Sequence, residues 1–269
     1  MTKIAVVTTF HEKGLATYGQ RMINTFCTNW PKEVTLYIYP EKCIPQINDK
    51  NQVVSIDLDT VNDLTAFKNK WKNVPKANGD VSADPTRSRR KDSGKGFKWD
   101  AVRFAHKVYS IFDCAARTDA DILVWMDADT VCHSPITIET LLALCSTSVD
   151  LAYLGREGKY SECGLYAMNL KSPIVLEFLK EFKRFYDQAE SGIFQLEEWH
   201  DSFVFDAVRH KFPTMKQLNW SAGIIKGEGH PLINSAWGAY LDHLKGNRKS
   251  SGRSLDKDLT VKRTEAYWK

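Results

Sequence analysis

Five apolar residues, Ile122–Met126, run directly into two aspartates one residue apart, Asp127 and Asp129, in the stretch ILVWMDADTV. A continuous apolar run of this kind is typical of a strand that is buried on both faces of a sheet. Carboxylates at the end of such a strand cost several kcal/mol to bury unless they are paired or bind a cation. The fold must therefore bury this strand and bring its last residues to a polar site.

The other segments predict an α/β fold with a mainly parallel central sheet and flanking helices. Strands are expected at residues 3–10, 33–41, 53–58, 150–154 and 164–170, and helices at about 17–28, 99–116, 136–144 and 173–188. Strands alternating with helices at this spacing are typical of parallel strands joined by crossover helices. With 269 residues, 43% of them hydrophobic, the chain is long enough to form one large domain of this class.

Basic residues are concentrated in two segments. We expect a long, partly flexible loop at about 59–98, in which residues 84–98 carry six basic side chains and two acidic ones. We also expect a basic tail at about 243–269, with eight basic and three acidic side chains, that ends in Tyr267 and Trp268. Such segments can hold a phosphate backbone and stack an exposed base, although basic runs are more often solvated surface. The net charge of +4 permits a polyanionic partner without requiring one.

The cysteines and histidines do not indicate a zinc site. The six cysteines are scattered without a Cys-x-x-Cys pair, so we expect reduced thiols. His200, His210 and His230 lack the short spacing and companion cysteines of a zinc site. The N-terminal apolar run is too short for a signal peptide, and no later run approaches a membrane span. We therefore expect no integral membrane segment and a cytoplasmic location.

Position distinguishes one Asp-x-Asp pair from the others. The chain contains four such pairs, at residues 57/59, 119/121, 127/129 and 256/258. Ligands of open parallel sheets bind beyond the carboxyl ends of the strands, and only Asp127 and Asp129 end the most hydrophobic strand. Two carboxylates there suit a hard divalent cation, Mn²⁺ or Mg²⁺, whose further ligand would be an anion such as a diphosphate. A turn or helix-cap role for the pair is the alternative that the residues leave open.

A second motif near the C-terminus carries a family resemblance. The stretch HLKGNRK, residues 243–249, has the form His-x-x-Gly-x-x-Lys. With the preceding DAD it resembles the motif pair of the glycogenin and lipopolysaccharide galactosyltransferase family, retaining nucleotide-sugar glycosyltransferases of the Rossmann-like GT-A fold. The resemblance implies that His243 completes a metal site with the two aspartates, that Gly246 lets the backbone approach phosphate, and that Lys249 contacts the donor diphosphate. Where that family continues Lys-Pro-Trp, this chain has two serines after the lysine.

The resemblance assigns further donor-binding residues by position. Thr8, Thr9 and Phe10 end the first strand, where GT-A enzymes hold the nucleotide base. The helix before the DAD strand commonly supplies a basic residue to the diphosphate or the donor sugar. Three basic residues lie on or beside that helix, namely Lys98, Arg103 and Lys107, and we favour Arg103. A solvated helix face is the alternative for each of them.

An acidic group near the reactive carbon of the sugar is also implied by the resemblance. Asp201, in EEWHDSF, is the first candidate, and Glu162, in SECGLYAMNL, is the second. A carboxylate there would stabilise an oxocarbenium-like transition state. The alternative is that Asp201 is one of the acidic residues often found in the first turn of a helix.

The resemblance implies a metal-dependent glycosyltransferase that moves a sugar from a UDP-sugar to an acceptor hydroxyl with retention. The KWDAVRFAHKVYSIF helix and the WMDADT strand also resemble small bacteriophage glycosyltransferases, some of which modify hydroxymethylated pyrimidines in DNA. We therefore expect double-stranded DNA carrying 5-hydroxymethylcytosine as the acceptor. A lipopolysaccharide or other surface glycan is the alternative, with residues 253–269 docking on a membrane. A non-catalytic nucleotide- or nucleic-acid-binding protein and a nucleotidyltransferase are further alternatives.

Overall fold

The strands form a seven-stranded sheet and a separate two-stranded sheet. The structure is a computed structural model that describes residues 2–227 and 229–269. The strands are β1 (Ile4–His11), β2 (Thr35–Glu41), β3 (Val53–Ser55), β4 (Ile122–Met126), β5 (Thr130–Cys132), β6 (Leu151–Arg156), β7 (Lys159–Asn169), β8 (Gln217–Asn219) and β9 (Leu241–His243). The order in the large sheet is β3-β2-β1-β4-β7-β6-β8, and the small sheet pairs β5 with β9.

Most neighbouring strands of the large sheet are parallel. β1 is parallel to β2 and β4, β2 is parallel to β3, and β6 is parallel to β8. The exception is β7, which runs antiparallel to both of its neighbours, β4 and β6. The predicted mainly parallel, Rossmann-like α/β sheet is confirmed. The carboxyl ends of β1, β2 and β4 consequently share one edge of the sheet, where ligands of such folds bind.

Helices cover both faces of the large sheet. They are α1 (Glu12–Gly14), α2 (Gln20–Asn29), α3 (Asn62–Trp71), α4 (Ala101–Arg117), α5 (Ile138–Leu144), α6 (Pro173–Asp187), α7 (Asp201–Arg209), α8 (Pro231–Asn234) and α9 (Arg248–Ser251). One face packs against α3, α4, α6 and α7, and the other packs against α2, α5 and α8. All five residues of β4 are buried between these layers, because Leu123 and Trp125 face one and Val124 faces the other. This explains the unbroken apolar run of β4.

The predicted loop at 59–98 contains a helix. Helix α3 lies within this range, and its apolar residues Leu64, Phe67 and Trp71 are buried against the core. Their spacing of three and four residues is helical, but polar residues are frequent around them, with Lys-Asn-Lys between Phe67 and Trp71, so the composition resembles that of a loop. The prediction of a loop is therefore wrong for residues 62–71.

The basic tail is folded against the rest of the chain. The Tyr267 hydroxyl donates to Asp242 Oδ2 at 2.8 Å, and its ring stacks on His133 with centroids 4.0 Å apart. Trp268 is 7% exposed and donates its indole N–H to the Gly238 carbonyl at 2.7 Å. Both aromatic rings are thus engaged within the fold, which corrects the idea that they stack on a base or dock on a membrane. Within residues 2–227 and 229–269, none of the helices combines the length and apolar character needed to cross a bilayer.

Candidate functional site

A cleft of about 240 Å³ lies at the carboxyl ends of β1 and β4. It is lined by residues from both strands and from the helices beside them, among them Thr9, Phe10, Tyr18, Glu41, Arg103, His106, Lys107, Trp125, Asp127, Asp129, Asp201 and Lys249. The cleft forms where β4 stops, because the chain turns at residues 127–129 and the Asp127 N–H donates back to the Gly164 carbonyl of β7 at 2.8 Å. The DAD sequence therefore lies at the sheet edge where ligands are expected.

The small sheet brings His243 to the two aspartates. β5 follows the DAD turn and pairs antiparallel with β9, so that Thr130 lies opposite His243. His243 Nε2 lies 3.1 Å from Asp129 Oδ1 and 3.5 Å from Asp127 Oδ2. The prediction that these three residues come together is confirmed, although no signal in the sequence had indicated the short strands that join them.

The three side chains fit a divalent cation. Their candidate ligand atoms, one imidazole nitrogen and two carboxylate oxygens, all lie within 4.8 Å of one another. Ligands on opposite sides of a Mg²⁺ ion are about 4 Å apart, because each bond is about 2.1 Å long, so small side-chain movements would suffice. Carboxylate oxygens together with one imidazole suit Mn²⁺ as well as Mg²⁺. Which ion binds there stays a prediction.

Glu162 lies behind His243 and not in the cleft. His243 Nδ1 donates to Glu162 Oε1 at 2.7 Å, and Lys245 Nζ lies 2.5 Å from Glu162 Oε2. Burial opposes charge on both groups, but neighbouring charges outweigh it. The Asp129 and Glu162 carboxylates raise the pKa of His243 to about 10, and Lys245 and His243 hold the pKa of Glu162 well below its ordinary value. The structure thus separates Glu162, the second candidate for the acid near the sugar, from the cleft.

Asp201 lies in the cleft and is held by Lys107. It is the first residue of α7, as the helix-start interpretation predicts, and its carboxylate also faces the cleft. Lys107 Nζ lies 2.7 Å from Asp201 Oδ2 and 3.0 Å from Asp127 Oδ1, and it also donates to the Cys163 carbonyl. Burial opposes ionisation of Asp201, but Lys107 outweighs it and holds the pKa of that carboxyl below its ordinary value. Asp201 is therefore an ionised carboxylate in the cleft.

The predicted basic residues have separate positions. Arg103, the preferred candidate among the three basic residues, is exposed on α4 and lines the cleft. Lys98 is buried and bound elsewhere, 2.6 Å from Glu198 Oε1 and 2.8 Å from Asp92 Oδ2. Of the three basic residues on or beside α4, Lys107 is the one that contacts a DAD carboxylate, that of Asp127. A donor-binding role for Lys98 would require these ion pairs to break.

The end of the His-x-x-Gly-x-x-Lys motif returns to the cleft. Lys249 Nζ lies 2.8 Å from Asp129 Oδ2 and 4.8 Å from the ring centre of Tyr18. Gly246, between β9 and α9, has φ +57°, a left-handed conformation that other residues rarely adopt. A Cβ atom there would meet nothing within 4 Å, so backbone conformation and not space favours glycine. Lys249 is therefore placed to meet an anion bound beside Asp129.

The end of β1 contributes two of its three predicted residues. Thr9 and Phe10 line the cleft, and Thr9 Oγ1 donates to the Tyr39 carbonyl at 2.6 Å. Thr8 is fully buried and does not line the cleft. The base-binding prediction for Thr8 therefore has no support from its position.

Several cleft residues were not assigned from the sequence, among them Trp125, Tyr18, Glu41 and His106. Trp125 Nε1 donates to Asp127 Oδ1 at 2.7 Å, and the two-residue spacing that places both on one face of β4 was a usable signal. Tyr18 lies beneath Lys249. Glu41 ends β2, and its Oε1 lies 3.5 Å from His106 Nε2, while burial lowers the pKa of His106 to about 4. Nothing in the sequence joined these two residues, because they lie on separate elements.

No protein-family model matches this sequence, and no curated protein matches it significantly. The residues of the cleft and their geometry therefore carry the functional inference.

Proposed function

We propose that the protein is a metal-dependent glycosyltransferase of GT-A fold that transfers a sugar from a UDP-sugar to an acceptor hydroxyl. The observation that carries this proposal is the convergence of Asp127, Asp129 and His243 at the carboxyl edge of the sheet, with Lys249 Nζ 2.8 Å from Asp129. Two carboxylates, an imidazole and a neighbouring ammonium group form a site for a divalent cation together with a polyphosphate.

Each cleft residue has a role in this proposal. Asp127, Asp129 and His243 would hold Mn²⁺ or Mg²⁺. Such an ion acts as a Lewis acid that stabilises the departing nucleoside diphosphate. Arg103 and Lys249 would add positive charge beside the same phosphates. Thr9 and Phe10, at the end of β1, would lie beside the nucleoside.

Asp201 would act at the sugar. Its ionised carboxylate, held at the cleft by Lys107, suits stabilisation of the positive charge that develops on the sugar ring as the bond from the anomeric carbon to the phosphate oxygen breaks. In a retaining transfer the acceptor oxygen forms its bond to that carbon on the same face. The proton of the acceptor hydroxyl passes to a phosphate oxygen of the leaving group, so a separate general base is not required.

A basic strap near the start of α7 supports an anionic acceptor. We define the basic strap as residues 84–98. It is tied to the segment before Asp201, because the Trp199 N–H donates to the Lys98 carbonyl at 2.6 Å. Three of its cations, Arg89, Lys91 and Lys95, are exposed and form no ion pair among the residues that the structure describes. These charges favour double-stranded DNA carrying 5-hydroxymethylcytosine over a neutral glycan, and a DNA acceptor implies a cytoplasmic location.

The test follows sugar transfer and nucleotide release together. The protein is incubated with Mn²⁺, a panel of UDP-sugars and a duplex containing 5-hydroxymethylcytosine, and mass spectrometry measures the DNA and the released UDP. We expect the DNA to gain the mass of one sugar per modified base with wild-type protein, and no gain with Asp127→Ala. Asp119→Ala is the matched control, because Asp119 belongs to another Asp-x-Asp pair and forms an exposed ion pair with Lys3.

Other outcomes separate the parts of the proposal. Release of UDP without a DNA product would retain the transferase and exclude this acceptor in favour of a surface glycan. Binding of UDP without turnover of any donor would favour the non-catalytic alternative. Equal activity of Asp127→Ala and wild type would remove the metal site from the mechanism.

A further inference from the structure

The two nitrogens of the His243 imidazole have different surroundings. Nε2 faces the two aspartates at 3.1 and 3.5 Å, and Nδ1 lies 2.7 Å from Glu162 Oε1. A carboxylate oxygen accepts hydrogen bonds, so Nδ1 is the donor in this contact. Nε2, which faces the cleft, is consequently the nitrogen whose lone pair becomes available to a cation once its proton leaves.

Glu162 is itself fixed from several sides. It is 3% exposed, and its second oxygen, Oε2, is held by Lys245 Nζ at 2.5 Å. Lys245 follows His243 by two residues, so the same glutamate ties both ends of this short segment to β7. His230 is a further titratable group beside Glu162; its Nδ1 lies 3.9 Å from Oε2, and its Nε2 donates to the His243 carbonyl at 2.8 Å.

Space around the imidazole is also restricted. A Cβ atom added at Gly164 would lie 2.5 Å from His243 Cε1 and Nδ1, closer than real contacts allow. Gly164 is two residues after Glu162 in β7, so both side chains would point to the same face of the sheet. The ring therefore packs against the backbone of β7 at Gly164, in space that any larger residue would fill.

We propose that Glu162 is a positioning residue for the metal site, one that holds His243 in the Nδ1–H tautomer and aims Nε2 at the cation. The proposal rests on the proposed function, since it requires a metal ion between Asp127, Asp129 and His243. It differs from the role that the sequence suggested, because Glu162 touches neither the sugar nor the phosphates. Partners of this kind commonly change metal affinity by 10- to 100-fold when they are removed.

Mn²⁺ alone is the probe in the experiment, with the full chain and no nucleotide. The dissociation constant is measured from the electron paramagnetic resonance signal of free Mn²⁺, and the nitrogen coupling of bound Mn²⁺ is measured by electron spin-echo envelope modulation. For Glu162→Ala we expect binding at least about tenfold weaker and loss of the nitrogen coupling. For Glu162→Gln we expect affinity within about threefold of wild type and retained coupling, because the amide oxygen still accepts from Nδ1–H.

Glu198→Ala is the matched control. Glu198 is also buried and also contacts a histidine and a lysine, His200 and Lys98, but it lies outside the metal site. A purely structural role for Glu162 predicts that both alanine variants lose stability alike and bind Mn²⁺ alike. Thermal unfolding, measured on every variant, separates loss of stability from loss of metal affinity.

The outcomes separate this inference from the proposed function. Wild-type affinity and coupling in Glu162→Ala, or a Gln variant that binds no better than the Ala variant, would overturn the inference and leave the metal site in place. Failure of the wild-type protein to bind Mn²⁺ would overturn both. Should Glu162→Ala not fold, Glu162→Asp replaces it, because it keeps the charge beside Lys245 but withdraws the carboxylate from Nδ1, and the same loss is expected.

Discussion

Two buried glutamates in this protein each bridge a histidine and a lysine, yet only one of the histidines faces a cluster of carboxylates. We call these sets the site triad (Glu162, His243 and Lys245) and the helix triad (Glu198, His200 and Lys98). The glutamate-to-histidine distances are 2.7 Å in the site triad and 2.8 Å in the helix triad, and the glutamate-to-lysine distances are 2.5 and 2.6 Å. In residue type and contact distance the two sets are nearly the same.

The histidines differ in which nitrogen meets the glutamate. His243 uses Nδ1, which leaves Nε2 toward Asp127 and Asp129. His200 uses Nε2, which leaves Nδ1 to accept the Phe203 N–H at 3.4 Å and so to cap α7. One triad therefore turns Nε2 toward the two aspartates, and the other uses Nδ1 to cap the start of a helix.

The comparison shows that a Glu–His–Lys set does not define a function by itself. The role of each set depends on which group lies beside the imidazole nitrogen that does not contact the glutamate. In the site triad this neighbour is set by the pairing of β9 with β5, directly after the DAD turn. In the helix triad it is set by the position of His200 immediately before α7. The difference can be tested by changing matched residues in the two sets.

The largest contrast is expected between the two histidines. His243→Ala removes the nitrogen ligand, so we expect Mn²⁺ binding to be lost and sugar transfer to fall by at least about a thousandfold, since metal stabilisation of the leaving group is worth several kcal/mol. His200→Ala should keep wild-type Mn²⁺ affinity and lower the free energy of unfolding by about 1 kcal/mol, because it removes a helix cap. Mn²⁺ titration and urea unfolding measure the two effects. A folded His200→Ala protein without Mn²⁺ binding would remove the distinction between the triads.

For the two lysines we expect the larger effect in the helix triad, and we expect it in the free energy of unfolding. The Lys98 side chain is 10% exposed and pairs with Asp92 as well as Glu198, whereas that of Lys245 is 32% exposed. We expect Lys98→Met to lower the free energy of unfolding by about 2 kcal/mol, because it leaves a buried carboxylate without its lysine. Lys245→Met should cost less than about 1 kcal/mol, since His243 still offsets the charge of Glu162. Urea unfolding at neutral pH measures both, and a larger loss in Lys245→Met would contradict this order.

The sequence predicts the fold and the three residues of the candidate metal site because their signals are local. The unbroken apolar run of β4 requires a doubly covered strand, and the DAD turn follows it directly. His243 was found through its spacing to Gly246 and Lys249 and through the family resemblance that this spacing carries. None of these inferences needed a distance between elements.

The roles of Glu162, Lys98 and Lys107 depend on distances that the sequence does not contain. Lys98 and Glu198 are 100 positions apart and share no motif. Lys107 contacts Asp127 because of the angle at which α4 crosses β4, and a helical wheel of α4 does not specify that angle. The position of Glu162 depends on a register shift between β6 and β7, where Leu154 pairs with Glu162. Such irregularities change which side chains reach a site, and they have no fixed sequence signature.

A smaller effect is expected at the backbone that supports the site triad. Gly164→Ala would place a methyl group against the His243 ring, so we expect Mn²⁺ binding to weaken by about tenfold as the imidazole shifts. Gly94→Ala is the control, because a Cβ atom there meets nothing within 4 Å. Mn²⁺ titration of both variants is the measurement. Unchanged Mn²⁺ affinity in Gly164→Ala would mean that the His243 ring can shift and still bind the cation. The argument that the imidazole must be held in a fixed position would then fail.

The smallest effect is expected where the tail holds β9. Tyr267→Phe removes the hydrogen bond to Asp242 Oδ2, and Asp242 directly precedes His243. The same carboxylate also accepts from the Ser254 N–H and hydroxyl, at 2.7 and 2.6 Å, so β9 should stay in place. We expect a loss of about 1 kcal/mol in unfolding free energy and Mn²⁺ affinity within about twofold of wild type. Tyr240→Phe is the control, since the Tyr240 hydroxyl makes no hydrogen bond among the described residues. A tenfold loss of Mn²⁺ affinity in Tyr267→Phe would instead show that the C-terminal tail helps to hold His243 in position. The tail would then distinguish the site triad from the helix triad.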